Sequence, residues 1–347
     1  MRGPTPARAD LAERAAARGD GTLVRMTVAA GVLDDDALVN ALDPECVPML
    51  LRLPAVDLAD DALAIRAAVH EVFDELELPE SPPEVRIDVL DALGSRPAMR
   101  VYMPGERRRD DAALMWLHGG GLIAGSARYD DFACARMAID HGVPVVSVDY
   151  RLAPEFPFPS GLEDCFAAMT WLLDEPELAV MPGRLVVTGG SAGGGLAIAL
   201  ALLARDRGVN AIGGLVCAYP MLDDRPGSPS MERLTARRTW HRELNRTAWQ
   251  AYLGHLADVP LHAAPGRANV DDLRGLPPVH LDVGTLDGFF DESVSFALRL
   301  AQADVPLDLL VTPRATHGSE HLNVEAPTSR RILRARFDAR ERALAGA

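Results

Sequence analysis

One hydroxyl stands where the backbone is barest. Residues Thr188 to Gly195 read TGGSAGGG, and Gly189-Gly190-Ser191-Ala192-Gly193 fits G-x-S-x-G. That spacing suits a sharp turn between a strand and a helix, which lifts a serine hydroxyl out of the backbone for attack on a carbonyl carbon. The flanks agree. RLVV before it reads as a buried strand, and LAIALALLAR after it reads as a helix. A Gly-rich turn with an incidental serine is the competing reading, so the motif needs partners. His118-Gly119-Gly120-Gly121, directly after the apolar run AALMWL, supplies one. Glycines at a strand end leave backbone N–H groups unshielded, and the oxyanion formed by attack on a carbonyl needs such donors.

A serine hydroxyl is a weak nucleophile. It needs a base, and the base needs an acid to orient it. After such a turn the order along the chain is Ser, Asp or Glu, then His. His241, His255, His262, His280, His317 and His321 follow Ser191. His280 falls inside a predicted strand, while His317 lies just past the last strand in TPRATHGSEH. His317 is the expected base, with His321 as competitor. The loop after VHLDVGT offers Asp287 and Asp291, with Glu292 beyond. Asp287 lies closest to the strand end and is the expected acid. Asp291 is the fallback, better suited to the start of the next helix, where a carboxylate meets the helix dipole. Asp282 lies within the strand.

The elements needed to position these groups are visible in the hydrophobic pattern. EVRIDVLDA and AMRVYMP alternate, as half-buried antiparallel strands do. AALMWL, VPVVSVDY, RLVV, GGLVCAYP, PPVHLDVGTLD and PLDLLVTP are predicted strands, VPVVSVDY being apolar enough to be covered on both faces. Helices are expected from Asp130 to His141, from Gly161 to Leu173, after the serine turn, over ESVSFALRLAQAD, and at the Arg-rich C terminus. Strands alternating with helices imply a largely parallel sheet flanked by helices. The rhythm stops over 221–275, which reads as an insertion with one helical patch, ELNRTAWQAYLGHL. Residues 35–76 carry helical patterning, and the first twenty or so read as loosely ordered. The expected division is a helical segment over 1–80 contributing to a cap, and a catalytic domain over 81–347 with 221–275 as the cap insertion.

Composition narrows the partners. The net charge is −15 and all 35 basic residues are arginine, since the chain has no lysine. That charge argues against nucleic acid and anionic membrane surfaces, and the missing lysine excludes Schiff-base and Walker-type chemistry. Cys46, Cys134, Cys165 and Cys217 are widely spaced, with no C-x-x-C pair, and read as small buried hydrophobes in a reducing compartment. The N-terminal MRGPTPARADLAERAAARGDG lacks the apolar core of a signal peptide, and no run of eighteen apolar residues occurs. A cytoplasmic, cofactor-free protein without a metal is expected.

Together these residues resemble the hormone-sensitive-lipase-like, bacterial family IV, esterases of the α/β-hydrolase superfamily. The resemblance runs over about residues 85–345. It rests on His118–Gly121, DYRLAPEFPFP from Asp149 to Pro159, Gly189–Gly194, LDGFFDE from Leu286 to Glu292, and His317-Gly318. It implies an α/β-hydrolase fold, with a mostly parallel eight-stranded sheet flanked by helices and a helical cap. It also implies a Ser191-Asp287-His317 triad and an oxyanion hole of the Gly120, Gly121 and Ala192 N–H groups. His118, Gly119, Gly189 and Gly193 would support the two motifs. Two departures stand out. Gly190 replaces the Asp or Thr usual before the serine, and DGFFDE stands where such enzymes have DPLRDE.

The implied activity is hydrolysis of short-acyl esters through an acyl-enzyme. Amide or lactone hydrolysis by the same triad is the alternative, and a non-catalytic receptor or a dehydratase on this scaffold is the remote one. Leu122, Trp249, Tyr252 and Phe289 are candidate pocket walls. The competing reading packs Trp249 and Tyr252 between cap and core, and Phe289 into the core. Arg151 and Glu155 are expected to pair, and Ala153-Pro154 or Phe158-Pro159 to be cis. The expected partner is a small ester, with a homodimer implied only by the resemblance.

Overall fold

The structure, a computed structural model, describes residues 31–56, 61–75 and 79–346. The N-terminal stretch expected to be loosely ordered lies outside them. Eight strands form one sheet in the order β1-β2-β4-β3-β5-β6-β7-β8. They are β1 (Val85–Leu90), β2 (Ala98–Pro104), β3 (Ala113–Leu117), β4 (Val145–Asp149), β5 (Leu185–Gly190), β6 (Ile212–Ala218), β7 (Val279–Gly284) and β8 (Leu307–Thr312). β1 and β2 pair antiparallel, and so do β2 and β4; every other pairing is parallel. Each predicted strand is present, and the alternating pair at the start is the antiparallel edge, as its pattern required.

Side chains of successive strand residues point to opposite faces. In β5, Leu185 and Val187 join one core and Val186 the other; in β3, Met115 and Leu117 oppose Leu114. The first core packs under α5 (Ser160–Asp174), α6 (Ala192–Asp206) and α9 (Phe290–Gln302). The second packs under α4 (Asp131–His141) and α11 (Pro327–Ala345). α6 is buried from Ala192 through Ala204, which its alanines and glycines permit by letting the strands approach.

The N-terminal pattern resolves into α1 (Asp35–Ala41), α2 (Val47–Leu50) and α3 (Ala62–Glu75). The Asp34 side chain caps α1 by accepting from the Ala37 N–H at 2.9 Å. Leu33, Leu38, Leu42, Cys46 and Leu50 form an apolar cluster with Leu234, Ala236 and Leu286, so this segment packs on the 221–275 stretch and on the loop carrying Asp287. Within 221–275 lie α7 (Pro229–Arg233) and α8 (Arg242–Leu253). α8 matches the predicted patch; α7, five residues long and polar, gave no period to read. All four cysteines are free and buried. No helix among the described residues is long and apolar enough to cross a membrane.

Candidate active site

The parallel register brings the site together. Leu117 of β3 pairs with Gly189 of β5, so the loop after β3 leaves the sheet beside the serine turn. Gly284 of β7 pairs with Thr312 of β8, so the loops bearing Asp287 and His317 also leave side by side. The Leu286 N–H donates to the Ala315 carbonyl at 2.9 Å and ties those two loops.

Ser191 has φ 58° and ψ −123°, a conformation that side chains rarely adopt. Its N–H donates to the Ala218 carbonyl at 2.9 Å, and its carbonyl accepts from the Gly195 and Met221 N–H groups at 3.1 and 3.0 Å. The turn is thereby tied to β6 as well as to α6. Gly193 is dictated by close approach: any Cβ there would overlap the Leu117 carbonyl oxygen.

Ser191 Oγ lies 3.0 Å from His317 Nε2, and His317 Nδ1 lies 2.9 Å from Asp287 Oδ2. A carboxylate only accepts, so Nδ1 carries the proton and Nε2 presents its lone pair to the serine hydroxyl. The other Asp287 oxygen accepts from the Phe289 N–H at 2.9 Å, and the carboxylate is 1% exposed. The competitors fall elsewhere. His321 is 71% exposed by its side chain. Asp291 sits in the first turn of α9 and accepts from the Ser230 N–H at 2.6 Å. His280 pairs with Asp308, and Asp282 with Arg336.

The loop after β3 is shaped around bare donors. A Cβ added at Gly119 would stand 3.5 Å from Ser191 Cβ. Gly120 and Gly121 have φ of 115° and 62°, and the Gly120 carbonyl accepts from the Ile123 and Ala124 N–H groups. That turn leaves the Gly120 and Gly121 N–H groups without a partner among the described residues. Ala192 opens α6, where a first-turn N–H has no helical acceptor. Those are the three expected donors. His118 is 2% exposed, stacked 4.1 Å from Tyr150, and its Nδ1 donates to the Gly119 carbonyl at 2.7 Å. Burial pushes its pKa down, so it supports the loop as a neutral ring.

Leu122, Ala192, Met221, Trp249 and Tyr252 line a small cavity beside the first turn of α6. Trp249 and Tyr252 are also 4% and 2% exposed, so they pack α8 on the core and line the cavity at once. Phe289 stands apart from that wall. It is fully buried, with its ring 5.2 Å from the His317 ring at 76°.

One expected contact is wrong. Arg151 pairs with Asp164 at 2.8 Å, not with Glu155. Glu155 pairs at 2.7 Å with Arg66 of α3, which also donates to the Ile123 and Ala153 carbonyls at 2.5 and 2.6 Å. The helical register sets Asp164 one turn inside α5, facing back toward Arg151, and the N-terminal helix supplies the guanidinium Glu155 needs. Both Ala153-Pro154 and Phe158-Pro159 are cis. Sequence reasoning also missed Trp240, which lies so near Gly121 that a Cβ there would overlap its ring. It missed the Thr239–Thr316 hydroxyl contact at 3.4 Å, and Tyr219, whose ring lies 4.6 Å from His317. The aromatic residues in an insertion were the available signal for Trp240; nothing local marked the others.

A fold of this order, with a serine turn after β5 and an Asp–His pair after β7 and β8, defines an α/β hydrolase. The family described as alpha/beta hydrolase fold matches residues 114–321. Esterase LipI of Mycobacterium tuberculosis is 31% identical over 294 residues, covering 81% of this chain and 91% of LipI. Mouse (Mus musculus) hormone-sensitive lipase is 36% identical over 137 residues, 38% of this chain and 18% of that protein. The solved structure of a bacterial heroin esterase superposes with a TM-score of 0.81 at 36% identity, covering 88% of this chain and 98% of the other. The chain belongs to the α/β-hydrolase family and, within it, to the hormone-sensitive-lipase-like esterases; it is a carboxylic ester hydrolase.

Proposed function

We propose that the chain hydrolyses short-acyl carboxylic esters with Ser191 as nucleophile, His317 as general base and acid, and Asp287 as the group orienting the imidazole. The observation that carries this reading is the unbroken line from Asp287 through His317 to Ser191 Oγ, with steps of 2.9 and 3.0 Å. His317 takes the hydroxyl proton as Ser191 Oγ bonds to the ester carbonyl carbon. The Gly120, Gly121 and Ala192 N–H groups receive the oxyanion. Collapse expels the alcohol, protonated by His317, and leaves a Ser191 ester. Water attacks that ester with His317 again as base, releasing the acid and the free serine. The chemistry calls for no cofactor.

The short-acyl reading is supported by the small cavity beside Ala192. It is walled by the bulky Trp249, Tyr252, Leu122 and Met221 side chains, which leave little room for a long acyl chain. The cap is proposed to combine α1, α2 and α3 of the N-terminal helical segment with 221–275, because Arg66, Thr239 and Trp240 touch the two loops flanking Ser191. A cytoplasmic location, and a homodimer as the assembly, are part of the same proposal. The test is turnover of p-nitrophenyl esters from acetate to laurate by wild type and Ser191→Ala. Fast acetate turnover, falling with chain length and absent in the variant, supports the reading. Serine-independent turnover, or a preference for laurate, overturns it.

A further inference from the structure

The space beside Gly190 is occupied. A Cβ built there would lie 3.3 Å from Cε2 and 3.4 Å from the hydroxyl oxygen of Tyr219. Tyr219 directly follows β6 with φ 34°, and its N–H donates to the Asp282 carbonyl at 2.6 Å. Its ring meets the His317 ring edge-on at 4.6 Å. Its hydroxyl donates to Glu320 Oε1 at 2.6 Å, on α10 (Ser319–Leu322), three residues past His317. Arg336 of α11 donates to the same oxygen at 2.6 Å, forks onto Asp282 at 2.7 Å twice, and sets its guanidinium carbon 5.2 Å from the Tyr219 ring. Tyr219, Glu320, Arg336 and Asp282 are 7%, 1%, 7% and 2% exposed.

Resting on the reading of Ser191 and His317 above, we propose that Tyr219 is a positioning residue for this site. Its ring fills the room left by Gly190 and braces the imidazole, while its hydroxyl anchors that ring to the segment carrying His317. One side chain thus couples the serine turn, the end of β6 and the histidine loop. The missing side chain at Gly190 and the tyrosine at 219 form a matched pair, because a longer side chain at 190 would need the place the ring holds. The anchor persists across the working pH range. Burial pushes the Tyr219 phenol well up, which keeps it a donor. Burial also raises Glu320, but the nearby Arg336 and His321 and the hydrogen bonds from Tyr219 and Arg336 outweigh it and hold the carboxyl at about 2, which keeps it an acceptor. The charged and titratable groups around the ring are His317, Glu320 and His321, Arg336, and Asp282 with His280 beyond it.

The test is a double-mutant cycle read on two signals. One is kcat and KM for p-nitrophenyl acetate. The other is the rate of Ser191 phosphonylation by a fluorophosphonate, followed by mass spectrometry, which needs the Ser191–His317 arrangement but no particular ester. Tyr219→Phe keeps the ring and removes the anchor. It is expected to fold as wild type by near-UV circular dichroism, to lower kcat about 10-fold, and to leave KM unchanged. Gly190→Thr and Tyr219→Ser, the two single corners of the cycle, are each expected to lose at least as much, and the two together to regain about 10-fold over Gly190→Thr alone. Wild-type kcat in Tyr219→Phe, or independent multiplying losses for the 190 and 219 changes, overturns the proposal. If Ser191 of the wild type is not labelled, the assigned nucleophile falls and this proposal with it. If it is labelled while the cycle shows no coupling, only the role of Tyr219 falls.

Discussion

Asp287 can only accept a hydrogen bond, and that asymmetry orders the site. It fixes the proton on Nδ1 of His317 and so leaves Nε2 free for the proton transfer from Ser191 that the proposed mechanism requires. Asp287→Asn can present its amide N–H to the ring instead, which favours the wrong tautomer; kcat is expected to fall about 10⁴-fold with the fold intact by circular dichroism. Ser191→Ala and His317→Ala should each cost about 10⁶-fold, and the pair together little more, because the groups act as a unit. His321→Ala, at an exposed ring, should stay within about twofold of wild type. Steady-state kinetics on p-nitrophenyl acetate check all five. At this scale the residues that meet at the site were legible where the proposed role comes with a spacing: Ser191 in its glycines, the HGGG run, and the strand-end Asp287 and His317. Tyr219 was not legible, and Trp240 was marked only as one aromatic residue among several between β6 and β7. They act through where β6 and the insertion deliver them, and no local pattern records that.

The strands and long helices were readable because their periods are distinct: alternation in β1 and β2, continuous apolar runs in the parallel strands. Pairings across elements were less so. Arg151 and Glu155 are four residues apart in a Pro-rich segment, which suggested a pair, but neither lies on a helix that would bring them face to face. Each instead found a partner on a packed helix, Asp164 on α5 and Arg66 on α3. Arg66 fastens α3 to both the Ile123 carbonyl beyond the HGGG run and the Ala153 carbonyl. Arg66→Ala removes both bonds and frees Glu155; a stability loss of about 1–3 kcal/mol is expected in urea unfolding, with kcat/KM lowered because the HGGG loop, the proposed oxyanion site, loses its brace. Trp249 of α8 makes a different kind of contact. It is a wall of the cavity beside Ala192, so Trp249→Ala should enlarge that cavity and move the preferred ester from acetate toward butyrate or hexanoate, at some cost in thermal stability. A chain-length profile unchanged by the truncation would show that the acyl group lies elsewhere.

Across the whole molecule, the sheet places its chemistry at one end of its parallel strands and a charged network behind it. Arg336 reaches from the C-terminal helix to Asp282 in β7 and Glu320 beyond the histidine, so the last helix is fastened to the sheet by ions in a nearly dry interior. Burial alone would raise both carboxyls; Arg336 and the hydrogen bonds of the network overcome it and hold both below their ordinary values, Glu320 at about 2. A carboxyl whose folded pKa lies below its unfolded one stabilises the fold fully above the unfolded value, 4.5 for glutamate, and loses that contribution as pH falls toward the folded value. Glu320→Gln still accepts from Tyr219 and Arg336 but cannot be charged. The stability gap between wild type and Glu320→Gln, measured by urea unfolding, should therefore be widest at neutral pH, begin to close near 4.5, and go on shrinking toward 2. A gap that stays constant through that window would mean the Glu320 charge adds nothing to the anchoring of the C-terminal helix, leaving Asp282 as the counter-ion that matters to Arg336.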